Sequence, residues 1–228
     1  MRLSNYISNL KWLVMSLSVL VDEVENWVEV LAYFISPVHR SALKIILRNR
    51  DTLTIPKDYI FEAIAETLLL NVYRFKMTSR QVVVDIGASV GDFALLASRD
   101  PDSRVYAFEP SPVAYSYMRE NVASNRRTGV HIFNASANAH TLDLILKKYG
   151  EPRIDFLKVD CEGCEYNVLL KCPPANLGKV ERIAMEIHPT LGRPVNDIVL
   201  ALRREGFAVT RWTAIGHGQY LFAKRPMT

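Results

Sequence analysis

The stretch from Gln81 to Ala97 constrains the fold of this chain more than any other. Gln81 to Ile86 is a short apolar run rich in β-branched residues, the composition of a strand buried on both faces. It runs directly into Gly87-Ala88-Ser89-Val90-Gly91 and then into Phe93-Ala94-Leu95-Leu96-Ala97, which reads as a helix. A strand, a glycine turn and a helix N-terminus let backbone come close to a nucleotide-like ligand, with free N–H groups aimed at it. The spacing is Gly-x-x-x-Gly, so it differs from the Gly-x-Gly-x-x-Gly of dinucleotide folds, and no Lys-Ser/Thr follows to make a phosphate loop. NAD and ATP are therefore disfavoured.

A second strand, Arg104–Phe108, ends in Glu109, 24 residues after Asp85. An acidic residue about 20 residues beyond the glycine turn is where an α/β nucleotide site holds a ribose hydroxyl pair. Its charge would repel a phosphorylated ribose. The pattern fits a nucleoside ligand without phosphates, of which S-adenosylmethionine is the example.

From residue 81 onward strands and helices alternate, which implies parallel strands with crossover helices. The expected strands are Gln81–Ile86, Arg104–Phe108, Val130–Phe133, Ile154–Val159, Val180–Ile187, Phe207–Trp212 and Gln219–Ala223. The expected helices are Gly91–Ser98, Pro112–Asn125, Thr141–Tyr149, Cys164–Leu170 and Pro194–Glu205. The link from Thr213 to Gly218 has no room for a helix, so the last two strands should form an antiparallel hairpin. Residues 1–80 differ in character and read as an N-terminal helical extension to a ligand-binding domain at 81–228. Trp27, Val30, Leu31 and Phe34 follow helical spacing, with Pro37 closing that helix. His39 to Arg50 reads as another, Arg40, Lys44 and Arg48 forming a basic stripe, and Asp58 to Phe75 as a third. The apolar run Trp12 to Val21 is far shorter than the roughly 20 residues that cross a bilayer. It has no cleavage site after it either, so this region reads as amphipathic helices packing on the main domain or a partner, a homodimer included, with peripheral membrane contact as the alternative.

With 228 residues, a net charge of +4 and only three cysteines, the chain reads as an ordinary globular protein of a reducing, cytoplasmic compartment. The mild charge permits nucleic acid or anionic lipid without requiring either.

The fourth expected strand leads into Lys158-Val159-Asp160-Cys161-Glu162-Gly163-Cys164-Glu165. Ligands in open α/β sheets bind at the carboxyl ends of strands, so Asp160 and Glu162 should face the same crevice as Gly87 and Glu109. Carboxylates this close need cations, a metal or a donor-rich ligand. Glu186 and His188 alternate at the end of the fifth strand and point the same way, so Asp160, Glu186 and His188 could together hold a divalent ion. Asp160 and His188 are the candidate bases. Cys161-x-x-Cys164 reads as a disulfide or an incidental metal pair ahead of a thioredoxin-like motif.

Asp85-Ile86-Gly87-Ala88-x-x-Gly91, Phe108-Glu109-Pro110-x-Pro112, Asn121-x-x-x-Asn125, Leu157-Lys158-x-Asp160-x-Glu162-Gly163-x-Glu165 and Glu186-Ile187-His188 follow one another in an order that resembles the FkbM family. The resemblance spans roughly residues 80–225. It implies a Rossmann-like class I methyltransferase: an α/β fold with a mostly parallel seven-stranded sheet and an antiparallel last strand, here preceded by N-terminal helices. It further implies S-adenosylmethionine as cofactor and methylation of a hydroxyl on a small molecule, sugar or lipid-linked glycan. Asp85, Gly87, Ala88 and Gly91 would line the methionine end, Glu109 and Pro110 the ribose, and Asn134 and Ala135 the adenine. Asp160, which also borders the cofactor, and Glu162 would lie beside the transferred methyl group, with His188 as the further catalytic candidate. RNA methylation, through Arg126-Arg127, Arg203-Arg204 and the basic stripe, is the alternative, as is a non-catalytic module that binds the cofactor.

Overall fold

The computed structural model describes residues 17–36, 41–188, 194–213 and 219–226. Two helices open it, α1 (Leu17–Glu23) and α2 (Trp27–Ile35). A hairpin of β1 (Ala42–Ile46) and β2 (Thr52–Pro56) follows, then a 3-10 turn, Lys57–Tyr59, and the wide π-type helix α3 (Glu62–Leu69). The main domain runs β3 (Val82–Ile86), α4 (Asp92–Ala97), β4 (Arg104–Phe108), α5 (Pro112–Ser124) and β5 (Val130–Phe133). Next come α6 (Thr141–Asp143), which continues as a π turn at Leu144–Lys148, then β6 (Phe156–Val159), α7 (Glu165–Leu170) and α8 (Pro174–Leu177). It closes with β7 (Arg182–Glu186), α9 (Val195–Arg204), β8 (Ala208–Thr213) and β9 (Gln219–Lys224).

The seven strands of the main sheet lie in the order β5-β4-β3-β6-β7-β9-β8. β3 pairs in parallel with β4 and β6, and β6 with β7, while β9 runs antiparallel between β7 and β8. Each expected strand is present within two residues of its expected bounds. β3, buried at all five positions, is the centre of the sheet, so the ends of β3, β4, β6 and β7 all open on one edge. α8, a single turn led by Pro174, had no distinguishing periodicity.

The N-terminal region departs from expectation. The described part of the expected helix His39–Arg50, from Ser41 on, is extended and turns back on itself, with Lys44 paired across to Thr54. Leu43, Ile45 and Leu47 are buried and alternate with more exposed neighbours, as do Leu53 and Ile55, a period of two that outweighs the four-residue spacing of the basic residues. Arg50 makes the turn at φ +71°. Arg48 is tied locally, its guanidinium donating to the Val21 carbonyl at 2.7 Å. The helix expected over Asp58–Phe75 is present from the 3-10 turn through α3 and ends at Leu69, so Tyr73 and Phe75 lie beyond it. The described residues before 81 are therefore helices plus a hairpin. Residues 1–16, Pro37–Arg40, 189–193, 214–218 with His217, and 227–228 lie outside the described residues.

These elements pack on the main domain and do not stand apart. Leu20, Val24, Val30, Ile45, Ile55 and Ile64 share one buried cluster with Val83, Phe93, Phe156 and Tyr220. The outer edge of β2 is closed by side chains from α5. Asn121 Oδ1 accepts from Thr54 N at 2.8 Å, and its amide donates to Thr54 O and to Val90 O. One turn on, Asn125 repeats the pairing with Thr52 N and O, at 2.7 and 2.6 Å. Asn121-x-x-x-Asn125 thus imitates a neighbouring strand, satisfying edge groups that would otherwise recruit one. Arg127, 2.5 Å from Asp51, fixes the turn of the hairpin.

Candidate active site

The glycine turn is dictated by a close approach. At Gly87, where φ is +76°, a Cβ would stand 1.5 Å from the Asp160 carbonyl oxygen, so the ends of β3 and β6 can meet here only without a side chain. Gly91 opens α4 at φ +85°, with Met118 of α5 where its Cβ would be. Its role is to let two helices pack. Ala88 is buried, its N–H donating, like that of Gly87, to the Phe108 carbonyl at 3.0 Å.

Glu109, at the tip of β4, is nearly buried and held at both oxygens. Oε2 accepts from Ser89 N at 2.8 Å and Oε1 from Ser111 N at 2.7 Å. Each oxygen keeps one further acceptor position, which suits a vicinal diol such as ribose. Asn134 donates to the carbonyls of Glu109 and Pro110 at 2.9 and 3.2 Å, so it secures the rim, with Pro110 and Ala135 exposed beside it. The donor set fits an adenosyl ligand without phosphates: a diol acceptor at Glu109, a side-chain-free turn at Gly87, and carboxylates at the end where a sulfonium would lie.

Around the Asp160 tip the fold gathers residues from β3, β6, β7, α3 and α7. Lys158 is buried; its ammonium donates to Gly87 O at 2.7 Å and lies 3.1 Å from Asp85 Oδ1 and 3.8 Å from Asp160 Oδ2. Burial alone would lower its pKa, yet Asp85, Asp160 and Asp92 outweigh burial and raise it. Asp85 is fully buried beneath the turn, and burial pushes its carboxyl up to about 6 against the pull of Lys158. Tyr73 Oη donates to Asp160 Oδ2 at 2.6 Å, with its ring edge-on to Phe93 and Tyr220. His188 Nδ1 lies 2.8 Å from Glu165 Oε1, and Nε2 lies 3.9 Å from Asp160 Oδ1 and 3.5 Å from Glu162 Oε1. That hydrogen bond to Glu165 raises the imidazole to about 9, assisted by Asp160 and Glu162. Glu162 is 86% exposed and sits in a left-handed turn, φ +53°. Burial lifts Glu186 to about 7 and Glu66 to about 8, with the mutual repulsion of these groups and Asp160 adding to it.

Ligand atoms of Asp160, Glu186 and His188 all lie within 4.8 Å of one another, as the alternation on β7 suggested. Cys161 and Cys164 are joined in a disulfide directly beside Asp160, and Cys172 is a buried thiol. A chamber of about 30 Å³ is lined by Glu62, Glu66, Tyr73, Ser89, Lys158 and Asp160 among others.

Of the residues singled out in the sequence, Asp160, Glu186 and His188 lie together, Glu162 lies beside His188, and Gly87 lies against the Asp160 backbone. Sequence reasoning missed Tyr73 and Glu66, which reach the site from the N-terminal region and carry no motif. Lys158 stood in a recognised motif, two residues before Asp160 on the same face of β6, and that alternation was the available signal.

The strand order, the single antiparallel strand beside the edge and a ligand crevice at the carboxyl ends define a class I methyltransferase fold. The family model of the methyltransferase FkbM domain matches residues 132–209. Over those residues the chain is similar to FkbM-type methyltransferases. It is 27% identical over 200 residues to the methyltransferase sdnD of Sordaria araneosa, an alignment over 59% of this chain and 76% of that one. It is also 27% identical over 205 residues to the AMB antimetabolite synthetase AmbE of Pseudomonas aeruginosa, covering 57% of this chain but only 10% of that much longer protein. Among solved structures, an rRNA methylase from Streptococcus thermophilus superposes with a TM-score of 0.53 at 16% identity, over 66% of this chain and 90% of that one, a likeness of fold.

Proposed function

We propose that this chain uses S-adenosylmethionine to methylate a hydroxyl oxygen on a small molecule, sugar or lipid-linked glycan. The observation that carries the reading is Asp160, set at the tip of β6 by Tyr73 and Lys158 on the same edge of the sheet as Glu109. When bound, S-adenosylmethionine supplies an electrophilic methyl group on a positively charged sulfur. Glu109 would hold its ribose hydroxyls, and the carboxylates around Asp160 would favour its charge. A neutral alcohol needs its proton removed as the new O–C bond forms. With its imidazole raised to about 9, His188 is a cation near neutral pH while no metal ion is bound, which leaves Asp160 as the proton acceptor and His188 as its electrostatic partner. Tyr73 and Lys158 would fix the orientation of that carboxylate, and positioning supplies much of the rate in such a transfer.

RNA methylation is less well supported. Arg127 is engaged with Asp51 and Arg48 with a backbone carbonyl, and the groups around Asp160 are predominantly acidic, which opposes a phosphate backbone. No helix among the described residues is long and apolar enough to cross a membrane. We take the chain to act in the cytoplasm as 1–80 and 81–228 working together; alkylation of thiols in protein taken from cells tests whether the Cys161–Cys164 disulfide is carried there.

The test is calorimetric binding of S-adenosylmethionine to the wild type and to Glu109→Ala, followed by turnover on hydroxyl acceptors with Asp160→Asn. Binding that is lost in the first variant, and turnover lost in the second with binding kept, is the expected pattern. A folded wild type that does not bind the cofactor refutes the reading.

A further inference from the structure

We propose that Asp160, Glu186 and His188 form a binding site for a divalent cation, each carboxylate giving one oxygen and the imidazole its Nε2. Their ligand atoms lie within 4.8 Å of one another, Asp160 Oδ1 being 3.9 Å from His188 Nε2. Donors about 2.1 Å from a six-coordinate ion stand roughly 3 to 4 Å apart, so side-chain adjustments of under about 1 Å close the site.

An independent observation points to an ion here. Glu165 on α7, 1% exposed, directs Oε1 at His188 Nδ1 while its Oε2 has no hydrogen-bond partner among the described residues. A buried carboxylate on the far nitrogen is the usual support of a metal-binding histidine; it turns the other nitrogen toward the ligand set and makes it more basic. The charges agree. Asp160, Glu186 and Glu66 converge here, whereas the buried ammonium of Lys158 is bound to Gly87 O and closer to Asp85 than to Asp160.

The donor set selects the ion. Two carboxylates and one imidazole suit magnesium, manganese or zinc. The nearby sulfurs of Cys161 and Cys164 are bonded to each other and offer no thiolate. Three protein ligands leave positions free for water or an acceptor oxygen, the arrangement of catalytic and not of closed structural sites. Cation binding does not depend on the methyl-transfer reading; a part for the ion in that transfer would.

Titration of chelator-treated full-length protein with manganese(II), followed by loss of the free-ion electron paramagnetic resonance signal, tests the site. One ion per chain is expected. Glu186→Gln and His188→Gln should abolish that binding, and Glu165→Gln should weaken it by about 10–100-fold. Thermal melts establish that each variant is folded. Should His188→Gln fail to fold, Glu186→Gln, which leaves the Tyr73–Asp160 bond intact, decides the matter. No manganese uptake by the wild type, or uptake unchanged in the folded variants, overturns the proposal. Cofactor binding measured in parallel shows separately whether the methyl-transfer reading fails.

Discussion

Tyr73→Phe removes one oxygen and tests whether the N-terminal region is part of the catalytic machinery. The ring should stay, because its edge-to-face contacts with Phe93 at 5.7 Å and Tyr220 at 5.8 Å do not involve the hydroxyl. What disappears is a 2.6 Å hydrogen bond from a side chain only 3% exposed to the carboxylate of Asp160. A hydrogen bond to a charged group contributes about 1.5–3 kcal/mol, and more is lost when the abandoned acceptor is partly shielded from water. The expected loss of stability is therefore about 2 kcal/mol, read as a lower urea midpoint with an unchanged slope. If Tyr73 also holds Asp160 in its working orientation, kcat/KM should fall by about 10- to 100-fold, since roughly 1.4 kcal/mol is a factor of ten. Binding of S-adenosylmethionine should change little, Glu109 and the glycine turn being untouched. Urea denaturation, calorimetry and steady-state rates together read all three quantities. A variant with wild-type stability and wild-type turnover would refute both the hydrogen bond and the role given to residues 57–75.

Three further outcomes are expected. Gly87→Ala must separate the ends of β3 and β6, because its Cβ would stand 1.5 Å from backbone that no rotamer can move; together with the left-handed φ this should cost about 3 kcal/mol or prevent folding, read by thermal denaturation. Asn121→Ala should destabilise by about 1–3 kcal/mol, leaving Thr54 N and O unpaired at the edge of β2, and should open the hairpin to limited proteolysis. In chelator-treated protein, stability should decline as pH rises from about 5 to 9. Glu66, raised from 4.5 to about 8, and His188, raised from 6.5 to about 9, both hold protons more tightly folded than unfolded. Their contribution is complete below the unfolded values and is lost as pH passes through the folded ones. Glu66→Gln should flatten the lower part of that decline in melts recorded across the range.

The sheet was legible because its strands announce themselves locally. Val82–Ile86 is buried on both faces and almost entirely apolar, and Arg104–Phe108 and Val130–Phe133 begin and end where expected. The carboxylate tips followed from the rule that ligands bind where parallel strands end. The hairpin was misread because its cationic residues recur every fourth position while its apolar ones recur every second; burial obeys the second pattern. Tyr73 and Glu66 were invisible for a different reason. Nothing in a run such as Leu70-Asn71-Val72-Tyr73 says that the chain will leave its helix there and aim a phenol at a residue 87 positions later. Asn121 and Asn125 stand in a motif, but Thr52–Pro56 falls between two expected helices with no element assigned to it, so their purpose could not be read.

The span between Tyr73 and Asp160 also bears on how the molecule is made. A ribosome adds about 5–20 residues per second, so the phenol waits roughly 4 to 17 s for its carboxylate partner to be synthesised. For nearly all of that interval the apolar cluster of α1, α2 and the hairpin lacks Phe156 of β6, and a chaperone or a neighbouring nascent chain could occupy the place. Yield during expression should therefore depend on translation speed between codons 73 and 160. That makes the window a matter for synonymous codon choice, which leaves the protein sequence untouched.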